Sequence, residues 1–473
     1  MVFDRRGRKI AESVQEVGVH RPSDERVEQD PEEMVSSIRS AVDLVVRRLD
    51  QGGGDVVSAG LATQRSSIVC WDKKTGEALS PVISWQDRRA HRWMRKFSRD
   101  EDRIHRITGL FPSPHYGASK LRWCLDHLPA VQAAARRGRL SWGPMASFLT
   151  FRLLDEHPFL TDPANASRTL LWNLKTMDWD PDLLRLFGLP PELLPHCVPT
   201  RHLFGHLRIG KRRVPMRVVT GDQSAALFAS GRAKADRVYI NMGTGAFVQR
   251  LMNGEPRRAE RLLTGVVSRI GRKTTYVLEG AVNGAGSALE WARSKLGIQE
   301  AVFERDAPEW LAEKGSAPLF LNGVSGLGAP FWAPDFPSRF IGNGGSREKI
   351  VAVIESIVFL VQAILDEMRG STSAPRQIRM TGGLAVLDGL CRRLADLSGL
   401  PLYRPAEYEA TARGTAYLLA GSPRVWPETA PGVWFRPRKD PDLRKRYRRW
   451  QEAMAVAIPR YMEQKRPSRL TSL

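Results

Sequence analysis

Cysteine is nearly absent from this chain. Its 473 residues include four, Cys70, Cys124, Cys197 and Cys391. They are scattered without disulfide or metal-ligand spacing, which excludes a disulfide-stapled scaffold and a zinc module. No apolar run approaches the roughly 20 residues that span a bilayer. The opening Met1-Val2-Phe3-Asp4-Arg5-Arg6 lacks the apolar segment of a secretory leader. No membrane role is expected, and a reducing cytoplasm is the expected home. Acidic residues are in short supply, 51 against 72 lysines and arginines, so the formal net charge is +21. That charge suits nucleic acid, or the steering of anionic substrates such as nucleotide phosphates, or a general bias toward arginine. The basic residues are spread along the chain, with local peaks at Lys211-Arg212-Arg213 and Arg444-Lys445-Arg446. No nucleic-acid motif accompanies them, so nucleic-acid binding is not expected. Ser-His-Asp arrangements, His-Cys clusters, Walker-type loops and short-period repeats are missing too.

What is present is a globular composition, 42% hydrophobic, at a length too great for one ordinary core. Two α/β patterns follow one another, which predicts a domain over residues 1–230 and a second over 231–473. In the first, Met1 to Phe3 reads as a strand end and Asp4 to Gly7 as a turn. Ile10 to Val19 reads as a strand. Asp30-Pro31-Glu32-Glu33 starts a helix, with a capping Asp, Pro at the first helical position and acids in the first turn; Gln51 to Gly54 ends it. Val56 to Ala62 is a strand, 68–71 and 79–85 form a hairpin, residues 90 to 200 are mostly helical, and Val214 to Thr220 is a strand. In the second, strands at 237–241 and 247–252 flank Gly243-Thr244-Gly245. Another strand, 274–278, leads to a helix at Gly286. Residues 350–368 form a long amphipathic helix. The tail from Asp440 reads as a basic surface helix.

Gly221-Asp222-Gln223-Ser224 closes the first pattern. It places a carboxylate where a buried strand ends, a rigid mount of the kind α/β sites use. Asp222 there can take a proton from a substrate hydroxyl, or simply cap the helix that follows. Gly243-Thr244-Gly245, Gly286 at a helix start and Gly382-Gly383 after a strand are glycine sites at strand ends. Each lets a backbone approach a ligand and turn N–H groups toward phosphate oxygens. Each also serves as an ordinary turn, but three of them in one half point to a nucleotide. Arg65 and Arg88-Arg89 follow strands and can hold a polar substrate or a neighbouring acid. Trp85 lines a pocket or fills the core.

These pieces resemble the FGGY family of carbohydrate kinases, and within it the glycerol kinases. The likeness rests on Thr63-Gln64-Arg65, Trp85-Gln86-Asp87-Arg88-Arg89, Gly221 to Phe228, Gly243-Thr244-Gly245-Ala246-Phe247, Gly326 to Trp332 and Gly382-Gly383. It runs from Met1 to about Trp450. The resemblance implies an α/β fold of the two-domain actin/hexokinase (ribonuclease H-like) kind with an interdomain cleft. It implies ATP and Mg²⁺, with a small polyol or sugar as the other substrate. Asp222 matches the catalytic base. Arg65, Trp85, Gln223 and Phe247 match positions that hold the polyol. Gly243, Thr244, Gly286, Gly382 and Gly383 match the nucleotide side. The residues name no metal ligand, and self-association stays open.

Three departures from the family pattern stand out. The family opens with a strand and an Asp-x-Gly-Thr phosphate loop, whereas Met1-Val2-Phe3-Asp4 resembles the strand after it. The first strand of the first domain is therefore expected to be absent, through a start called too late. A chain truly without the loop is expected to be an inactive relative. Ser66 and His115 stand where glycerol kinases carry Glu and Tyr against the polyol. That implies a roomier pocket and admits a longer polyol or a ketose, as in a xylulokinase. Glu290 and Leu387 stand where amide side chains approach the nucleotide.

Overall fold

The computed structural model describes residues 1–50, 55–313, 317–369, 374–406, 409–428 and 430–465. Alternating apolar strands and amphipathic helices build two sheet systems in succession. The first system is split. A five-stranded sheet takes His20–Ser23, Arg26–Gln29, Val82–Ile83, Ile68–Asp72 and Leu140–Pro144 in that order. A three-stranded sheet carries β1 (Ala59–Thr63), β2 (Arg201–Ile209) and β3 (Arg212–Gly221), with β3 in the middle, antiparallel to β2 and parallel to β1. Thr63 pairs with Gly221. Two neighbouring chains therefore leave the sheet at the same end, one into Gln64-Arg65 and the other into Asp222.

The second system is one sheet of seven strands: β4 (Arg237–Met242), β5 (Ala246–Leu251), β6 (Leu263–Ile270), β7 (Lys273–Val282), β8 (Gln377–Thr381), β9 (Leu402–Arg404) and β10 (Val433–Phe435), in the order β6-β7-β5-β4-β8-β9-β10. β4 is antiparallel to β5 and β5 to β7, while β4 is parallel to β8. Hence β4, β7 and β8 run the same way and end on one edge. That edge is where open α/β sheets place ligands.

Five helices matter for the site: α1 (Asp222–Ala226), α2 (Gly286–Leu296), α3 (Ser346–Arg369), α4 (Ala410–Leu419) and α5 (Pro441–Lys465). The apolar positions of α3 are buried as its spacing requires, and Phe359, Leu360, Ser356 and Gln362 are buried as well. The helix is therefore enclosed on nearly all sides. A core joins the two systems: Val218, Leu227 and Phe228 pack with Leu251, Val267 and Val277 of the second sheet and with Tyr417, Leu418 and Trp426. Among the described residues no helix is long and apolar enough to cross a membrane.

Most of the expected elements form. Asp30 caps the helix Pro31–Asp50, its Oδ1 accepting the N–H of Glu32 at 2.7 Å and of Glu33 at 3.2 Å. The expected end at 51–54 lies outside the described residues. Three expectations are corrected and one strand is added. Ile10 to Val19 is a strand only at its start, within Lys9–Ala11, which pairs with Val2–Phe3. The alternation beyond it finds no sheet to face, and Val14 is 73% exposed. Leu140–Pro144, inside the stretch read as helical, is a fully buried strand beside Ile68–Asp72. Leu263–Ile270 forms an unexpected edge strand. The tail helix α5 is not merely a surface helix. Leu443, Tyr447, Trp450, Met454 and Ala457 are buried in the second core, and the Trp450 indole N–H donates to the Phe320 carbonyl at 3.2 Å.

Candidate active site

Asp222 opens α1 at the end of β3 and is half-buried. Its Oδ1 accepts the Gln223 N–H at 2.7 Å, and its own carbonyl accepts the Thr411 hydroxyl of α4 at 3.1 Å. The carboxylate is aimed by its own turn, and its backbone is tied to the second half of the chain. Burial pushes the Asp222 carboxyl above its ordinary value, against the pull of the Arg65 guanidinium and the Gln223 N–H. A carboxylate so raised is a better proton acceptor than an exposed one.

Arg65 reaches across the end of β3. A Cβ on Gly221 would lie 2.4 Å from Arg65 Cδ, so only glycine leaves room for that crossing. Arg65 Nη2 donates to Gln223 Oε1 and, at 3.3 Å, to Glu279 Oε2. Its Nη1 is buried without a hydrogen-bond partner. Buried donors are nearly always satisfied, so this Nη1 is a donor free to meet a ligand oxygen. Phe247 and Gln249 share one face of β5, and the Gln249 amide donates to Glu279 Oε2 at 2.7 Å. Phe247 therefore stands on the same side of the sheet as the Arg65 cluster.

Ser66, Trp85 and His115 form an adjoining group. Ser66 holds a left-handed backbone, φ 67°, and its carbonyl accepts the Lys120 ammonium at 2.8 Å; the same Nζ donates to the His115 carbonyl at 2.7 Å. His115 Nδ1 meets the Trp85 carbonyl at 3.0 Å. A carbonyl only accepts, so Nδ1 carries the hydrogen and Nε2 keeps a lone pair for a hydroxyl. Burial pushes the imidazole down to about 4, so it is neutral at pH 7. Trp85 is 39% exposed and lines the surface of this group rather than the core.

Lys120 was not among the residues singled out from sequence, yet it holds this group together. It is fully buried, and burial pushes its ammonium down to about 7. Replacing Lys120 by Met strands two carbonyls, and the expected cost is about 2–4 kcal/mol. Urea unfolding measures it; an unchanged midpoint would mean that the two loops hold without the clamp.

The nucleotide-side residues sit at the converging ends of β4, β7 and β8. Gly243 N–H bonds the Gly245 carbonyl at 2.8 Å, closing the tip. Gly286 N–H donates to the Gly243 carbonyl at 2.9 Å and Ser287 N–H to the Thr244 carbonyl at 3.0 Å. This corrects the expectation that the start of α2 points its first N–H groups at a ligand, because they are spent holding the tip. A Cβ on Gly286 would lie 2.7 Å from the Gly243 carbonyl oxygen. Thr244 is exposed at the tip. Gly382, at φ 95°, lies against the end of β4, where a Cβ would come within 2.5 Å of the Met242 carbonyl oxygen; Gly383 has open space beside it. Glu290, one turn into α2, is exposed and paired with Arg293 at 3.0 Å. A cavity of about 50 Å³ lies between Ala226 and Leu227 of the first half and Asn241, Gln249 and Thr381 of the second.

Arg89, a candidate from its strand-end position, is not available to a ligand. It is buried against Asp87 at 2.7 Å and Glu28 at 2.6 Å. Glu279, Arg168 and Gln249 are the site residues that sequence reasoning missed. The signal for Glu279 was a charged residue late in an apolar strand, next to a glycine. Among the described residues no three His, Cys, Asp or Glu side chains gather as a metal cage.

Residues 1–229 match the N-terminal domain model of the FGGY family of carbohydrate kinases, and residues 238–422 match its C-terminal domain model. A glycerol kinase of Trichlorobacter lovleyi is 34% identical over 97% of this chain and 91% of its own length. One of Alkalilimnicola ehrlichii is 36% identical over 89% and 87%. Among solved structures, Plasmodium falciparum glycerol kinase with ADP superposes with a TM-score of 0.87, at 22% identity over 96% of this chain and 95% of that one. A gluconate kinase of Lactobacillus acidophilus gives 0.84, at 20% identity over 98% and 96%. At these identities the superpositions speak for the fold alone, which is the two-domain mixed α/β fold of these kinases.

Proposed function

Because the chain belongs to the FGGY family of carbohydrate kinases, we propose that it transfers the terminal phosphoryl group of ATP to a hydroxyl of glycerol or a close polyol. It is a phosphotransferase with an alcohol as acceptor. The observation that carries the site assignment is that paired strand ends, Thr63 and Gly221, bring Arg65 and Asp222 out of the sheet together, Arg65 joining Gln223 next to Asp222 and keeping a buried Nη1 without a partner.

Phosphoryl transfer asks a protein mainly for positioning and for neutralised charge. The acceptor hydroxyl hydrogen-bonds to Asp222, which takes the proton as the oxygen bonds to the γ-phosphorus. The bridging bond to the β-phosphate breaks, and ADP leaves with that electron pair. Arg65, Gln223 and neutral His115 Nε2 hold the remaining hydroxyls, and Trp85 and Phe247 wall the carbon skeleton. The tip at Gly243-Thr244-Gly245, braced by Gly286 at the start of α2, and Gly382-Gly383 face the triphosphate, with Glu290 toward the nucleoside. Mg²⁺ bound with the nucleotide would supply charge neutralisation on the phosphates, and such a nucleotide-borne ion would not require a cage of three protein carboxylates. In this assignment residues 1–230 bring most of the acceptor side, with Phe247 added from the second half, and 231–473 bring the nucleotide side. An ATP-consuming reaction of this kind belongs in the cytoplasm.

A coupled ADP-release assay with glycerol tests the reading. Acceptor-dependent turnover is expected. Release of ADP no faster than without acceptor, across glycerol, longer polyols and ketoses, would overturn it. Neutral Ser66 and His115 favour the wider acceptor range as a second reading. Installing Ser66→Glu with His115→Tyr is expected to raise the kcat/KM ratio of glycerol over a five-carbon polyol by roughly tenfold, the effect of one polar contact. An unchanged ratio would remove both positions from acceptor choice.

A further inference from the structure

Glu279 lies within β7, in the second half of the chain, and is fully buried. A carboxylate buried alone is costly, so its partners define what it is for. Oε1 sits 2.7 Å from Arg168 Nη2, an ion pair without the alignment of a hydrogen bond. Oε2 accepts from Gln249 Nε2 at 2.7 Å and from Arg65 Nη2 at 3.3 Å. Both arginines come from the first half, whereas Gln249 and Glu279 sit opposite each other on β5 and β7. Arg65 goes on to Gln223. One buried carboxylate of the second sheet therefore holds the cation that aims at the acceptor hydroxyls.

We infer that Glu279 is a positioning residue that fixes the Arg65 guanidinium for the acceptor, so that the polyol site is complete only when the two halves are docked. This rests on the kinase reading for the identity of the acceptor. The alternative is an ion pair that merely stabilises the fold. Charge separates the two. Asp222 is faced by Arg65, Arg168, Glu279 and the Gln223 N–H. Glu279 is held ionised, down to about 2, by the two arginines. Removing its charge leaves Asp222 acted on by both arginines with no second carboxylate of the pair to share them, while Asp162 still faces Arg65 and Tyr116 still faces Arg168.

The test is Glu279→Gln, which keeps the shape and removes the charge. Glycerol affinity, measured by calorimetry in the presence of ADP, is expected to weaken on the order of tenfold, the loss of one charge-assisted contact. The KM for ATP is expected to stay within about twofold, a change too small to count as a lost contact. The acid limb of the kcat/KM profile is expected to move to lower pH. Glu279→Asp keeps the charge with a shorter reach. It is expected to retain the wild-type acid limb while weakening glycerol, and it serves if the Gln variant does not fold. Unchanged glycerol affinity in a folded variant would overturn the inference, as would equal losses for glycerol and ATP. Glycerol binding by the unmodified protein without turnover, weakened in both variants, would sink the catalytic reading and spare this one. Turnover with unaltered acceptor affinity in both variants would sink this one alone.

Discussion

Asp222→Asn is expected to bind glycerol and nucleotide almost as the wild type does and to transfer phosphate roughly 10²–10⁴-fold more slowly, the span of a lost general base. Asn keeps the size of Asp, and its side-chain oxygen can still accept the Gln223 N–H. The Thr411 hydroxyl bonds the backbone carbonyl of residue 222, so the mount is untouched. Only the capacity to take a proton is lost. The wild-type rate should fall as pH drops through the Asp222 pKa. Burial raises that pKa, so the fall begins at higher pH than an exposed Asp would give, and the Asn variant should lack that limb. The same shift fixes the sign for stability. Between the ordinary and the raised pKa the folded state binds more protons than the unfolded one, so ionised Asp222 works against folding above that window. The Asn variant should therefore melt no lower than the wild type at pH 7. Near-normal turnover would remove Asp222 from the base role. Loss of cooperative unfolding together with activity would make it a structural residue.

Gly414→Ala is expected to cost about 3 kcal/mol or more, at the upper end for overpacking. It is also expected to slow turnover on the order of a hundredfold, as a misplacement near 1 Å can. Gly414 lies on α4 where that helix crosses α1. A Cβ there would come 1.8 Å from the Ala225 carbonyl oxygen and 2.6 Å from its carbon. Backbone cannot rotate away as a flexible side chain can, so α1 must shift, and α1 carries Asp222 and Gln223. Denaturant unfolding and kcat at a temperature where the variant is folded measure the two effects. A variant with wild-type midpoint and kcat would show that the helices do not touch there.

The acceptor-side candidates were legible because strand ends are local features. An apolar run closing on Gly-Asp-Gln announces a mounted carboxylate, and Gly-Thr-Gly between two strands announces a tip. The same locality explains the misreadings. Ile10 to Val19 alternates like a strand, but alternation does not say whether a sheet is there to receive it. The tail after Asp440 is so rich in Arg and Lys that its buried stripe, Leu443, Tyr447, Trp450 and Met454, was outweighed by its charge. Leu140–Pro144 is too short and too poor in β-branched residues to stand out among helices, and Ile68–Asp72 recruits it by pairing.

From sequence alone came the two α/β halves, the carboxylate at the end of β3 and the glycines at the ends of β4, β7 and β8. Spacing of apolar residues and freedom of backbone are properties of neighbours along the chain. Only the folded molecule disclosed that Glu279 holds Arg65 and Arg168, that Lys120 clamps Ser66 to His115, and that α2 spends its first N–H groups on the Gly-Thr-Gly tip. A buried charge must find its partner wherever strand order and helix crossing bring one. Glu279 and Arg65 stand far apart in the chain and meet only because two sheets end face to face.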